Sequence, residues 1–141
     1  MRKILFRGKR LDNGEWVMSG NLIHADDNDI HSFYIPEPKS EFGTIEDEHD
    51  NILSIEYGTF YKVDPATVGQ CTGLKDMNGK WIFEGDIVQI GEENGKIEYS
   101  ETEAMFQVVF DTWCTDFDHY FGTDFEVIGN IHDNPELLEE A

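Results

Sequence analysis

Apolar and polar residues alternate with a period of two along much of this chain, the spacing of strands buried on one face. Residues 2–10 read as a first strand, with Ile4 and Phe6 turned inward between basic residues. Asn13-Gly14 then predicts a tight hairpin of the type in which both central residues take positive φ. "EWVMSGNLIH", residues 15–24, is the return strand, interrupted at Gly20. From Ala25 to Asp50 the periodicity is lost in an acidic stretch containing Pro36 and Pro38, which predicts loops with a short strand or two. "ILSIEYGTFYKV" restores a strand, broken at Gly58, and Asp64-Pro65 and Gly69 bracket a turn. Asn78-Gly79 is a second hairpin signal, and "IFEGDIVQIG" reads as a Gly-Asp turn leading into an apolar strand. "KIEYS" and "AMFQVVFD" follow as strands, the second with Phe106, Val108 and Phe110 on one face. "TWCTDFDHYFGTD" is an aromatic-rich connection and "FEVIGNI" a last strand. Asn134 as N-cap and Pro135 at the first position open a short terminal helix over 134–141.

Two of these segments resemble each other. Residues 8–23, "GKRLDNGEWVMSGNLI", and 73–88, "GLKDMNGKWIFEGDIV", align without gaps at an offset of 65. Five positions are identical (Gly8/Gly73, Asn13/Asn78, Gly14/Gly79, Trp16/Trp81, Gly20/Gly85) and six more are similar, so eleven of sixteen agree. Each copy reads as one device: a turn reverses the chain, a tryptophan starts the return strand and a glycine lets it bend. The expected fold is therefore mainly β. A small SH3-like, partly open barrel occupies residues 66–132, with added strands and an acidic loop over 1–65 and the short helix at the end, all in one domain. The barrel reading rests on "EGDIV", which looks like the turn before a core strand in SH3-like barrels.

Composition narrows the function. The 141 residues include 18 aromatics (3 Trp, 5 Tyr, 10 Phe), enough for one core, and no apolar run long enough to span a membrane. Residues 1–10 pass straight into polar Asp12, Asn13 and Gly14, so no secretory signal is expected. Cys71 and Cys114 make no metal pattern and are expected to be reduced thiols of a cytoplasmic protein. Net charge is −20, from 30 acids and 10 bases. Five bases, Arg2, Lys3, Arg7, Lys9 and Arg10, lie in the first ten residues, so the other 131 carry five lysines against 30 acids, a net of −25. Such a body repels phosphate backbones and anionic lipid and suits basic protein partners or cations. The basic start reads as a strand with solvated charges, and alternatively as an arm for nucleic acid.

Candidate chemistry is sparse. Gly73 and Gly79-Lys80 are mis-spaced for a phosphate-binding loop, Trp81 stands where Ser or Thr is required, and a strand is expected where that loop needs a helix. "HADDNDIH" places His24, Asp26, Asp27, Asp29 and His31 within eight residues, donors suited to Zn²⁺ or Mn²⁺. The pattern is neither an EF-hand nor a zinc-protease helix, and it reads first as a solvated turn. His49, His119 and His132 lie among acids and read as charge balance. Cys114 and His119 could form a nucleophile pair, but the flanking Asp111 and Asp116 oppose a thiolate. No catalytic constellation, cofactor or metal is therefore expected. Gly73, Asn78, Gly79, Trp81, Gly85 and Asp86 are read as serving backbone geometry and packing. Trp113 and Tyr120, aromatic among aspartates, and Arg7 and Arg10 are the candidate interaction residues.

Four blocks, "FRGK", "GEWV", "VGQCTGLKDMNGKWIFEGDIV" and "VIGNIHDNPELL", resemble the YopX protein family in content and order and span nearly the whole chain. The sequence departs from that pattern at Cys71 and Trp81, where a tyrosine or polar residue is expected. The resemblance implies a small, mainly β, cytoplasmic protein of phages and prophages of Gram-positive bacteria, and it carries no catalytic residue over. The expected activity is non-enzymatic: binding of a host or phage protein through acidic and aromatic surface, with self-association left open. Alternatives are an acidic mimic that competes for a DNA-binding protein, and nucleic-acid binding through the basic first strand. Direct nucleic-acid binding is disfavoured by charge, and membrane association is not expected.

Overall fold

The structure, a computed structural model, describes residues 3–28, 30–36, 43–46, 52–56, 60–111, 114–116 and 124–138. Among the described residues are the strands β1 (Phe6–Lys9), β2 (Trp16–Ser19), β3 (Ile23–Asp27), β4 (Ile30–Pro36), β5 (Gly43–Glu46), β6 (Ile52–Glu56), β7 (Phe60–Val63), β8 (Gly69–Lys75), β9 (Trp81–Phe83), β10 (Asp86–Ile90), β11 (Glu93–Ser100), β12 (Met105–Val109), β13 (Cys114–Asp116) and β14 (Glu126–Asn130). Single 3-10 turns occupy Pro65–Thr67 and Pro135–Leu138. The protein is mainly β, and among the described residues no helix is long and apolar enough to cross a membrane.

The chain divides into two compact units, residues 5–68 and residues 1–4 with 69–141. In the first, β1 and β2 form an antiparallel hairpin, and β3, β4 and β7 form a sheet in that order, while β5 and β6 pair separately. The 3-10 turn is tied to β1 on both sides. The Asp64 N–H donates to the Lys9 carbonyl (2.8 Å), and the Lys9 N–H donates to Thr67 Oγ1 (2.9 Å). Gly8 lies against the fully buried Val63; a Cβ there would stand 3.0 Å from the valine side chain.

The acidic stretch that showed no periodicity holds a hairpin. Asp27 pairs with Ile30 across a two-residue turn, and Asn28 takes a left-handed φ of 48°. Asparagine tolerates that conformation because its short polar side chain bonds locally. The stretch hides its strands because β3 ends in the run His24, Ala25, Asp26, Asp27, in which no apolar–polar alternation marks a buried face.

In the second unit, β8 and β9 pair, and five strands form an antiparallel sheet in the order β13-β12-β11-β10-β14. This sheet is open, with β13 and β14 as its edges. Its core is Ile82, Val88, Ile97, Val108, Phe110 and Phe125, with Ile90, Phe106 and Val127 packed against it. Phe106, Val108 and Phe110 thus share one face, as their spacing requires. Of the helix expected over 134–141, Pro135–Leu138 form a 3-10 turn rather than an α-helix, and residues 139–141 lie outside the described residues. Asn134 does not cap it through its side chain: Oδ1 reaches back to the Asn130 N–H (3.3 Å), and the backbone carbonyl accepts from Leu137 N–H (3.1 Å).

Ile97 is 1% exposed at the centre of this core. Ile97→Ala is expected to destabilise the protein by about 2–5 kcal/mol, through lost burial and the cavity left behind. Chemical denaturation read by tryptophan fluorescence measures it.

Candidate functional site

The two repeated hairpins are both present, but neither turn has the expected geometry. Only the glycine of each Asn-Gly pair has positive φ, 72° at Gly14 and 80° at Gly79. The two-residue turn with both residues left-handed is therefore replaced by longer loops that end on a left-handed glycine. In the first, Arg10 N–H donates to the Glu15 carbonyl and Gly14 N–H to the Arg10 carbonyl, both at 2.9 Å, enclosing four residues. In the second, Asp76 N–H donates to the Lys80 carbonyl (2.7 Å) and Gly79 N–H to the Asp76 carbonyl (3.0 Å), enclosing three. The copies consequently differ by one step in register. Trp16 faces Lys9, whereas Trp81 faces Lys75, the counterpart of Arg10.

Asp76 explains the tighter loop. It is 2% exposed, yet its carboxylate is saturated by main chain. Oδ1 accepts from the N–H groups of Asn78 and Lys80, both at 2.9 Å, and Oδ2 accepts from Val127 N–H at 3.0 Å. Met77 N–H adds a bond to the Phe125 carbonyl (2.9 Å), so the hairpin tip is stitched to the start of β14. Burial alone would raise the carboxyl pKa. The donors Val127, Lys80 and Asn78, with the Lys80 charge, outweigh burial and hold it below the usual carboxylate range. Asp86 closes the other end of the signature. It is 1% exposed, and its Oδ2 accepts from Phe83 N–H at 2.7 Å across the turn at Gly85, whose φ is 89°. β9 and β10 are extended over Trp81–Phe83 and Asp86–Ile90, so no helix N-terminus faces a ligand here.

The cations near these hairpins lie over aromatic rings. Lys75 and Lys3 lie 4.7 and 5.9 Å from the Trp81 centroid, Arg7 and Lys9 lie 4.8 and 5.8 Å from that of Trp16, and Arg10 lies 4.1 Å from that of Tyr61. Such contacts stabilise by about 0.5–2 kcal/mol each, more where water is excluded. Arg7 is the buried member, 8% exposed, while Ile4 is 54% exposed. The inward and outward positions expected for residues 2–10 are therefore reversed at these two, because the guanidinium is held by an indole face. Arg10 also forms a bidentate pair with Asp12 (2.9 and 2.6 Å), and its pKa is raised mainly by that bond.

Of the metal candidates, His24 and His31 come together: Nε2 of the first and Nδ1 of the second are 2.7 Å apart. Asp26 pairs with His31 in the register, Asp27 ends β3, and Asp29 lies outside the described residues. Among the described residues no group of three or more His, Cys, Asp or Glu side chains is placed to hold a metal ion. Cys71 is buried and Cys114 exposed, and neither is in a disulfide; His49 and His119 lie outside the described residues. Trp113 and Tyr120 lie outside them too. An open cleft of about 450 Å³ is lined by Gln70, Glu84, Tyr99, Ala104, Met105 and Phe106.

The profile of the family described as YopX protein matches residues 5–139. Among solved structures, the chain is similar to protein EF1440 from Enterococcus faecalis, with a TM-score of 0.60 and 25% identity over 99% of this chain and 100% of that one. No curated protein matches.

Asp76→Ala strands three part-buried main-chain donors and is expected to destabilise by on the order of 2 kcal/mol. The wild-type contribution has a defined pH dependence. The folded-state pKa lies below the unfolded one, so the contribution is complete above the ordinary aspartate range and falls away as pH drops through the folded-state value. Urea denaturation of both proteins from neutral pH to about pH 2 should show the gap between them narrowing toward acid.

Proposed function

The chain belongs to the YopX protein family, and from that premise we propose that it is a non-enzymatic accessory protein of a phage or prophage. It binds a basic host or phage protein through acidic and aromatic surface. The observation that carries this reading is what occupies the signature: Asp76 and Asp86 bond main-chain N–H groups, and Lys75 lies over Trp81. The groups that resembled chemistry hold backbone. Charge supplies the rest. Thirty acids against ten bases leave at least twenty acids without an internal cation even if every base pairs once, and a surface so charged steers basic partners toward itself. Burial of Arg7, and the Asp12 and Tyr61 contacts of Arg10, favour this reading over direct nucleic-acid binding. Trp113 and Tyr120 are the proposed anchors, since aromatic side chains dominate binding energy at interfaces.

For the scaffold, we propose that residues 66–132 are an open variant of the SH3-like barrel. The support is strand order. Four consecutive strands, β10 to β13, form a meander, and β14 returns beside the first of them.

The test is affinity capture from a Gram-positive host lysate. A reproducible basic partner is expected at about 50 mM salt, weakened at about 0.5 M where exposed charges are screened, and weakened again by the double change Trp113→Ala, Tyr120→Ala. Release of that partner by duplex DNA would assign the acidic surface as a nucleic-acid mimic. No reproducible partner, or capture indifferent to salt, would overturn the proposal.

A further inference from the structure

The β3–β4 hairpin brings two imidazoles together on one exposed face, independently of the binding reading above. His24 and Phe33 are directly opposite in the register, as are Asp26 and His31, so these four residues share that face. The His24 ring stacks on Phe33, with centroids 4.5 Å apart and planes within 4°, which fixes its orientation. Its Nε2 then points at His31 Nδ1, 2.7 Å away, with one nitrogen donating to the other. The two nitrogens face each other nearly head-on, with ring centroids 4.9 Å apart. A chelated cation needs both lone pairs aimed at one point, which a modest turn of the two exposed rings supplies.

We propose that His24 and His31 form a two-nitrogen site for one divalent transition-metal ion that favours imidazole in right-angled geometry, Cu²⁺ or Ni²⁺, with water completing the coordination. Distance selects the geometry. With metal–nitrogen bonds of about 2.0–2.1 Å, two nitrogens at a right angle stand about 2.9 Å apart, and at a tetrahedral angle about 3.3 Å. From the observed 2.7 Å the nitrogens must separate by about 0.2 Å for the first and about 0.6 Å for the second, and each ring must turn its lone pair off the line between them. The ion takes the place of the shared proton: the donor ring gives that proton to solvent and takes one up on its far nitrogen, so both rings stay neutral and each presents a lone pair to the metal. Asp26 on the same face and the net charge of −20 raise the local concentration of cations.

The test uses the untagged full chain, freed of metal with a chelator and titrated with CuSO₄, NiCl₂ and ZnCl₂ by calorimetry. Electron spin-echo spectroscopy of the copper form then counts coordinated imidazoles. One site per chain with two coordinated imidazoles is expected. His24→Ala and His31→Ala should each weaken binding at least about tenfold, and His132→Ala should leave it unchanged. Circular dichroism confirms that the variants fold, as exposed positions allow. Equal binding by wild type and the His24 or His31 variants, a copper signal carrying fewer than two imidazoles, or Zn²⁺ held more tightly than Ni²⁺ would overturn the assignment.

Discussion

One buried carboxylate holds together the part of this protein that most resembles a reactive loop. Asp76 accepts three main-chain hydrogen bonds, two from its own hairpin and one from a strand 51 residues further on. An ionised group can be removed from water only if its lone pairs are satisfied, and backbone donors in a fixed turn do this without adding flexible side chains. The same solution recurs at Asp86, where the next turn is closed by a carboxylate bonded to Phe83. Two buried aspartates thus bracket residues 76–86. They set where β9 begins, where it breaks at Gly85, and how β10 enters the core beside β14.

The consequences run outward from that pair. β10 lies between β11 and β14 in the five-stranded sheet, so its placement decides which residues of three strands reach the core of Ile82, Val88, Ile97, Val108, Phe110 and Phe125. The tryptophans that start β2 and β9 face the other problem, an excess of acid and few bases. Each lies beneath two cations, so part of the small positive charge is spent on holding hairpins rather than on binding anions. What the surface offers a partner is therefore overwhelmingly negative.

Much of the strand order was legible in the chain, because alternating segments and Asn-Gly, Gly-Asp and Asp-Pro turns are local signals. Turn type was not. An Asn-Gly pair specifies a reversal, but how many residues it encloses depends on bonds such as those from Asp76, which involve Val127 far away in sequence. A lone aspartate beside a turn reads as solvated, which hides the role of Asp76; its spacing two residues before Asn78, typical of an Asx turn, is the local signal for it. The β3–β4 hairpin is legible only as a short strand or two without a register, since the polar run at the end of β3 erases periodicity. Arg7 was placed outward by simple alternation, which cannot anticipate an indole face as a partner for a buried guanidinium. The closeness of His24 and His31 followed only once the turn between them was known.

The central claim is that the glycine-rich signature is a main-chain device organised by an ionised, buried Asp76. Carbon-detected NMR titration of the Asp76 carboxyl carbon tests it most directly. The structure predicts a pKa below the usual aspartate range, with the amides of Asn78, Lys80 and Val127 shifting at the same pH. A carboxyl that titrates at or above that range, or whose titration leaves those amides unmoved, would contradict it.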